Sequence, residues 1–558
     1  MRQLLGCWYE STEGRQLASV KKTFISNRYI TELDYSSDVL VTFSGEALTI
    51  VLSASGLADD FPSRIEVTRD ELRLLRDPFG RTQLYWAATG KAIWFSSRVD
   101  LLMRALKLAE IDERALYLFT GFSYFPAPET PIVGIRSAAA GQCLIWRSAG
   151  QDPEIITYHD WCCYGDKGLD EAAAASKLRV LLDNSMESLL PKGSYTRCGV
   201  FLSGGLDSSV VAALLERHGV RPICYTLDFG EHCQYKEIEY AAAVAEHLGL
   251  ELKVVDASAE RIAGYLRPTI RALDVPYGDG VAVPLYLLGK AAAEDGCDVV
   301  FNGEGGDQLF AGWPNKPLIA AKVYNSQCNL EAEYLKTFHR FFGAEHLIFT
   351  EKMLAVVAEV NPLDWVKDAL DWQGTTIFDL LRRANLKLKG AQNIQPRATR
   401  LAEVHSLWVR SPFCYAPLVT MLNGLRGELL LKGACEKYIL KRAVEDLLPP
   451  KIVWREKRGM GVPLTRLLLG PLRQELLSLL DEQVLAVEGR FCKDVAVRIA
   501  KGRFSAQIQG RRIGELLWLL LVWQAWRYGV ERCRAPRYSK LLTSLIWRWR
   551  SAKEEYLW

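Results

Sequence analysis

The sequence predicts an α/β protein: a β-rich part first, then a parallel sheet covered by helices, then a mostly helical remainder. Three observations predict it. Before about residue 155, short apolar stretches are separated by polar turns. From 198 to 302, short apolar strands alternate with helical patterns, the signature of parallel βαβ units. From about 325 to 535 the apolar residues recur at three- and four-residue spacing.

The elements follow in order. "DVLVTFSGEALTIVLSA" (38–54) and "AIWFSS" (92–97) read as strands, and "RDPFGRTQLYWA" (76–87) places a Pro-Phe-Gly turn before another. "DEAAAASKLRVLLDNSMESLL" (170–190) changes the period to that of a helix. "CGVFL" (198–202), "PICYTLDF" (222–229), "ELKVV" (251–255) and "DVVFN" (298–302) are strands. Between them lie the helices "SSVVAALLERHG" (208–219), "EIEYAAAVAEHLG" (237–249) and "PLYLLGKAAAE" (284–294). A chain of 558 residues exceeds what one core supports. The expected units are 1–155, 170–535 and a tail at 536–558.

Composition narrows the class. Sixty-nine basic residues nearly balance 66 acidic ones, so charge gives no reason to expect nucleic acid. The 13 cysteines are scattered, with Cys162-Cys163 the only adjacent pair and no metal-type spacing, which fits free thiols in a reducing cytoplasm. No secretory signal pattern opens the chain. The longest apolar stretch, "LLWLLLVWQAW" (516–526), is too short to span a bilayer and reads as a buried helix.

"FLSGGLDSSVV" (201–211) puts two glycines, three serines and a carboxylate where a strand meets a helix. Glycines admit a ligand close to the backbone, and a helix start offers free N–H groups and a positive dipole end, which together favour phosphate. No Gly-Lys-Ser/Thr follows, so this is not a Walker loop. A carboxylate beside phosphates, here Asp207, makes sense with a cation such as Mg²⁺ between them.

The Ser-Gly-Gly-x-Asp-Ser stretch resembles the pyrophosphate-binding loop of N-type ATP pyrophosphatases. From about 70 to 530 the chain resembles the asparagine synthetase family, whose relatives include lasso-peptide cyclases and β-lactam synthetases. The resemblance is carried by "YKEIEYAAAVAEHLG" (235–249), "FNGEGGDQLFAGW" (301–313), "LPPKIVWREKRGMGVP" (448–463), "RDPFGRTQLYWA" and "GFSYFPAPETPIVGI" (121–135). It implies an Ntn-hydrolase-like N-terminal domain, here degenerate, ahead of a Rossmann-like synthetase domain of the adenine-nucleotide α-hydrolase type. It implies ATP and Mg²⁺ as cofactors: a carboxylate is adenylated with loss of pyrophosphate, and an amine then displaces AMP. By family position, Leu202, Ser203, Gly204, Gly205, Asp207, Ser208, Ser209, Leu227, Asn302 and Gly303 would hold the nucleotide and pyrophosphate. Asp207 and Asp307 would hold Mg²⁺, Lys457 would steady the α-phosphate, and Glu304 would take the proton of the attacking amine. A carboxylate between glycines beyond a strand end suits such a base.

The departures are as informative. The family's glutaminase domains carry a cysteine directly after the initiator methionine. Arg2 stands there in this sequence, and Cys7 lies inside an expected strand. The stretch 8–70 shows no counterpart of the family's glutamine-gripping segments, so this part reads as a structural remnant. In "SLWVRSPFCYAPLV" (406–419), Arg410, Pro412 and Phe413 are kept, but Trp408 and Tyr415 replace a usual Glu and Asp. Val275 replaces another usual Glu. These losses weaken the case for free aspartate and open that for a bulkier acceptor, such as a peptide. Three readings result: an ammonia-dependent asparagine synthetase, with the aspartate side chain the simplest carboxylate, a peptide or natural-product amide ligase or cyclase, and an inactive scaffold, which the intact loop argues against. The tail "KLLTSLIWRWRSAKEEYLW" (540–558) alternates Trp with Arg and Lys; it suits a membrane surface, a protein partner or packing on its own domain.

Overall fold

A computed structural model describes residues 3–533, apart from 11–19, 27–28, 36–38, 45–46, 54–60, 69, 162–167, 191–196, 231–236, 314–318, 321, 323, 325–326, 328, 339–340, 372–375, 458 and 502–512. The expectations on Arg2, the Cys162-Cys163 pair and the 536–558 tail fall outside the described residues.

Two six-stranded sheets form the N-terminal part. The first takes β1 (Leu4–Glu10), β2 (Lys22–Ser26), β3 (Tyr29–Tyr35), β8 (Tyr85–Thr89), β9 (Ala92–Ser96) and β10 (Arg136–Ser137), in the order β10-β8-β9-β1-β3-β2. The second takes β4 (Leu40–Ser44), β5 (Ala47–Leu52), β6 (Ser63–Val67), β7 (Leu72–Leu75), β11 (Gln142–Trp146) and β12 (Glu154–Thr157), in the order β12-β11-β7-β6-β5-β4. Alternate residues of β5 point inward, which is the period-2 burial of a sheet with one wet face. Leu48, Ile50, Ile65 and Leu74 meet Trp8, Phe95 and Trp146 in one core. The helices α1 (Val99–Leu106) and α2 (Glu113–Phe122) follow β9.

Helix α3 (Glu171–Leu189) leads into a five-stranded parallel sheet: β13 (Cys198–Phe201), β14 (Ile223–Asp228), β15 (Leu252–Asp256), β16 (Val299–Phe301) and β17 (Trp408–Arg410), ordered β15-β14-β13-β16-β17. Helices α4 (Leu206–Arg217), α5 (Glu237–Leu248), α6 (Ala259–Leu273) and α7 (Ala282–Glu294) make the connections between the first four strands. Central strands β13 and β16 carry small and apolar residues because helices cover both faces. The chain runs outward from β13 to β15 and returns on the other side with β16. The strand order therefore reverses between β13 and β16, and a ligand crevice is expected beyond their carboxyl ends.

The helical reading of 325–535 has two exceptions: β17, and a hairpin pairing Leu431–Lys432 with Cys435–Glu436. Helix Ile377–Ala384 continues through ten residues of wide π helix, Asn385–Ile394, into helix Gln395–Glu403. "LLWLLLVWQAW" lies within helix Ile513–Cys533, with Leu516 to Trp523 buried. Among the described residues no helix is long and apolar enough to cross a membrane. Cys7, Cys143, Cys198, Cys224, Cys297, Cys414, Cys435 and Cys492 are free thiols.

Candidate active site

The loops after β13 and β16 line one cleft of about 1610 Å³. After β13 the chain turns through Gly204 at φ +72 and enters α4 at Gly205. A Cβ on Gly204 would come within 2.5 Å of the Ala241 nitrogen, so only glycine lets the loop pack on α5. No side chain among the described residues caps α4, which leaves its first N–H groups to a ligand. The Ser208 hydroxyl accepts from the Ser203 nitrogen (3.2 Å) and lies 3.2 Å from the Ser203 hydroxyl.

Leu202, Ser203, Gly205, Asp207, Ser208, Leu227, Asn302, Gly303, Glu304, Asp307 and Lys457 all line this cleft. Two expected residues do not. Gly204 acts through backbone shape. Ser209 is fully buried and returns its hydroxyl to the Gly205 carbonyl (2.8 Å), so it serves the first turn of α4 instead of a ligand. Trp408, Tyr415 and Val275 also stay off the cleft wall. Trp408 and Tyr415 pack against a core cluster, and Val275 is buried in another. The substitutions there therefore supply no argument for a bulkier acceptor.

The loop after β16 is folded against the first. A Cβ on Gly303 would approach the Ser208 nitrogen to 2.8 Å, and one on Gly306 would strike the Asp207 carboxylate. This close approach brings Asp207 and Asp307 onto one ammonium that the sequence reading missed. Lys437, with a side chain only 2% exposed, pairs with Asp207 and lies 2.5 Å from Asp307 Oδ1. It follows the hairpin strand Cys435–Glu436, at φ +57. Lys457 reaches Asp307 Oδ2 at 2.8 Å. Its backbone N–H donates to Glu436 Oε1 (2.7 Å), which ties the segment to the same hairpin. Arg455 stacks on Tyr240 at 3.7 Å and closes the rim beside the Gly204 carbonyl.

Burial raises the Asp207 carboxyl pKa against the pull of Lys437. Burial also works on Asp307, but Lys437 and Lys457 outweigh it and hold that carboxyl well below its ordinary range. Burial pushes Glu304 up to about 7, with Arg397 the main cation opposing the shift. The Glu304 N–H donates to Asn302 Oδ1 (3.2 Å), and Ser411 donates its hydroxyl to the Glu304 carbonyl. Arg397 is held by Asp279 Oδ2 (2.7 Å) and Asn393 Oδ1 (2.7 Å); Asp279 and Arg397 line the cleft and were also missed. Asp207 Oδ1 is buried with no hydrogen-bond partner among the described residues. An unsatisfied hard oxygen beside a second carboxylate fits a divalent cation such as Mg²⁺.

Cys7 lies within β1, between β3 and β9. Its thiol is buried, and burial together with the Glu32 charge drives its pKa far above the thiol range, the opposite of an activated nucleophile.

A doubly wound parallel sheet with phosphate-type loops at its switch point defines an α/β nucleotide-dependent enzyme. The asparagine synthase family model matches residues 177–527, and a glutamine amidotransferase domain model matches 65–158. The chain belongs to the asparagine synthase family, and is an ATP-dependent amide-forming ligase. It is similar to asparagine synthetase [glutamine-hydrolyzing] 1 of Bacillus subtilis: 24% identical, over 81% of this chain and 74% of that one. It is also similar to asparagine synthetase B of Escherichia coli, 28% identical over 58% of this chain and 50% of that one. Among solved structures it is similar to an NH3-dependent NAD synthetase from Campylobacter jejuni, 16% identical, covering 40% of this chain and 95% of that one, at a TM-score of 0.20.

Proposed function

We propose that this chain adenylates a carboxylate with ATP and then transfers the acyl group to ammonia or an amine, without glutamine as the nitrogen source. The observation that carries the reading is the convergence of Asp207, Asp307, Lys437 and Lys457 beside Glu304, at the switch point of the sheet. A carboxylate oxygen of the acceptor attacks the α-phosphorus, the bond to the β-phosphate oxygen breaks, and pyrophosphate leaves. The N–H groups of α4 and the hydroxyls of Ser203 and Ser208 receive the pyrophosphate. Lys457, anchored at Asp307, supplies a cation as charge builds on the α-phosphate, and a cation already in place costs little reorganisation. Asp207 and Asp307 would hold Mg²⁺, which neutralises phosphate charge. The amine nitrogen then attacks the acyl carbon, AMP departs, and Glu304 takes the nitrogen's proton. A carboxyl with a pKa of about 7 is matched to that task at neutral pH. The buried, unactivated Cys7 supports the exclusion of glutamine.

Aspartate is the simplest acceptor. A second reading, a peptide or natural-product carboxylate, is favoured by the cleft's size. Its 1610 Å³ has to take ATP as well as the acceptor, and it exceeds the ~300–1,000 Å³ of ordinary small-molecule pockets. The test supplies ATP, Mg²⁺ and aspartate with either ammonium or glutamine. Asparagine from ammonium supports the first reading. Glutamate release from glutamine that Cys7→Ala abolishes would contradict the exclusion. ATP binding with no product from either source moves the acceptor to the larger class.

A further inference from the structure

We propose that the β-rich N-terminal part braces the cleft: it holds the wide helix Asn385–Ile394 in register, and that helix fixes Arg397 and its partner Asp279 on the wall of the cleft that Glu304 also lines. The inference rests on the active-site reading above and goes beyond it. It gives a present task to a part whose Cys7 is buried within a strand.

A π helix has poor backbone geometry and normally lasts a single turn, so ten residues of it need support from outside. The support comes from the N-terminal part. Arg76 is 1% exposed and spends its guanidinium on carbonyls: Ala138 (2.7 Å), Gly80 (3.2 Å) and Thr82 (3.3 Å) of its own part, and Ala391 (3.2 Å) of the wide helix. Gly80, at φ +72, presses on the same carbonyl so closely that a Cβ would come within 1.9 Å of it. The Ala127 N–H donates to Gln392 Oε1 at 2.8 Å, and Gln392 returns its amide to the Lys387 carbonyl at 3.1 Å. Two successive residues, 391 and 392, are thus gripped from outside.

The next residue, Asn393, is bonded to two residues of the cleft wall. Asn393 donates to Asp279 Oδ2 (2.8 Å) and accepts from Arg397 (2.7 Å), while Arg397 also donates to Asp279 (2.7 Å). Asn393 is 1% exposed, so this triangle has no slack toward solvent. Arg397 is the cation that acts most on Glu304. Sliding the wide helix by one residue would carry Asn393 out of the triangle and free Arg397 to turn. Gln392 and Arg76 are accordingly positioning residues. Neither lines the large cleft.

The experiment uses the full chain and two variants, Gln392→Leu, which loses both bonds, and Gln392→Glu, which keeps the acceptor for Ala127 N–H. Hydrogen exchange is followed by mass spectrometry, and amide formation from aspartate and ammonium by product analysis. In Gln392→Leu, exchange at 385–398 should accelerate about fivefold for each of the two hydrogen bonds lost, while the parallel sheet stays as in the parent. KM for aspartate should rise by a similar factor with ATP affinity unchanged, and Gln392→Glu, which keeps the bond from Ala127 and loses the one to Lys387, should recover part of both. Unchanged exchange at 385–398, or acceleration spread evenly over the chain, overturns the brace. So does a Gln392→Glu variant whose exchange and KM come no closer to the parent than those of Gln392→Leu. If the parent makes no amide from these substrates, the acceptor reading has failed, and the exchange pattern alone decides the brace.

Discussion

Replacing Lys437 with Met tests the charge cluster most severely. The ammonium is 2% exposed and serves two carboxylates whose side chains are 14% and 17% exposed. Removing it leaves Asp207 without its paired cation, and Lys457, which still reaches Asp307 at 2.8 Å, acts on Asp207 only from a distance. Breaking a buried ion pair from one side costs ~3–5 kcal/mol, and the surviving Lys457 contact puts the expected loss at about 3 kcal/mol. The readout is the urea midpoint of exchange protection in peptides spanning β13–α4 and β16, with the β sandwich as internal control. Millimolar Mg²⁺ should return part of the loss, because two carboxylates without their lysine bind a divalent cation better than they do beside it. Protection equal to the parent, or a variant indifferent to Mg²⁺, would refute the view that Lys437 balances these carboxylates.

Three further outcomes follow from the same geometry. Lys457→Met should slow ATP–pyrophosphate exchange far more than it weakens ATP binding, since charge on the α-phosphate builds in the transition state; rapid-quench rates against equilibrium titration will tell. Glu304 must be ionised to accept a proton, and its pKa is raised to about 7, so amide formation should fall as pH drops through about 7 while pyrophosphate exchange lacks that limb. Asp307 is held well below the ordinary carboxyl value by its two lysines. Its stabilisation is therefore complete above the unfolded pKa of roughly 4 and is lost as pH falls below it, which an acid titration of protection at β16 will show.

Much of the sheet and half of the site could be read from local sequence. Two glycines, three serines and a carboxylate between a strand and a helix declare themselves within a dozen residues, and "CGVF" and "VVF" are apolar because both faces are covered. Lys437 could not be read this way. It lies 230 residues from Asp207, among other lysines, and its role comes from a hairpin turn that the helical reading of that region did not foresee. Arg397 and Asp279, 118 residues apart, likewise meet only through the fold. The wide helix has no local signature, since its register is held from the N-terminal part. Trp408, Tyr415 and Val275 misled for the converse reason: a departure from a family pattern marks a difference, and only the fold places it on or off the cleft wall.

The central claim is that one cleft runs two steps, with Glu304 serving the second. Glu304→Gln separates them, because the amide keeps the shape and loses the base. Purified variant would be given ATP, Mg²⁺ and the acceptor carboxylate, with labelled pyrophosphate exchange and amide product measured side by side. The account predicts exchange within about twofold of the parent and amide formation reduced by ~10²–10⁴, the usual contribution of a positioned general base. Loss of exchange in parallel with loss of amide would place Glu304 in adenylation and contradict the account.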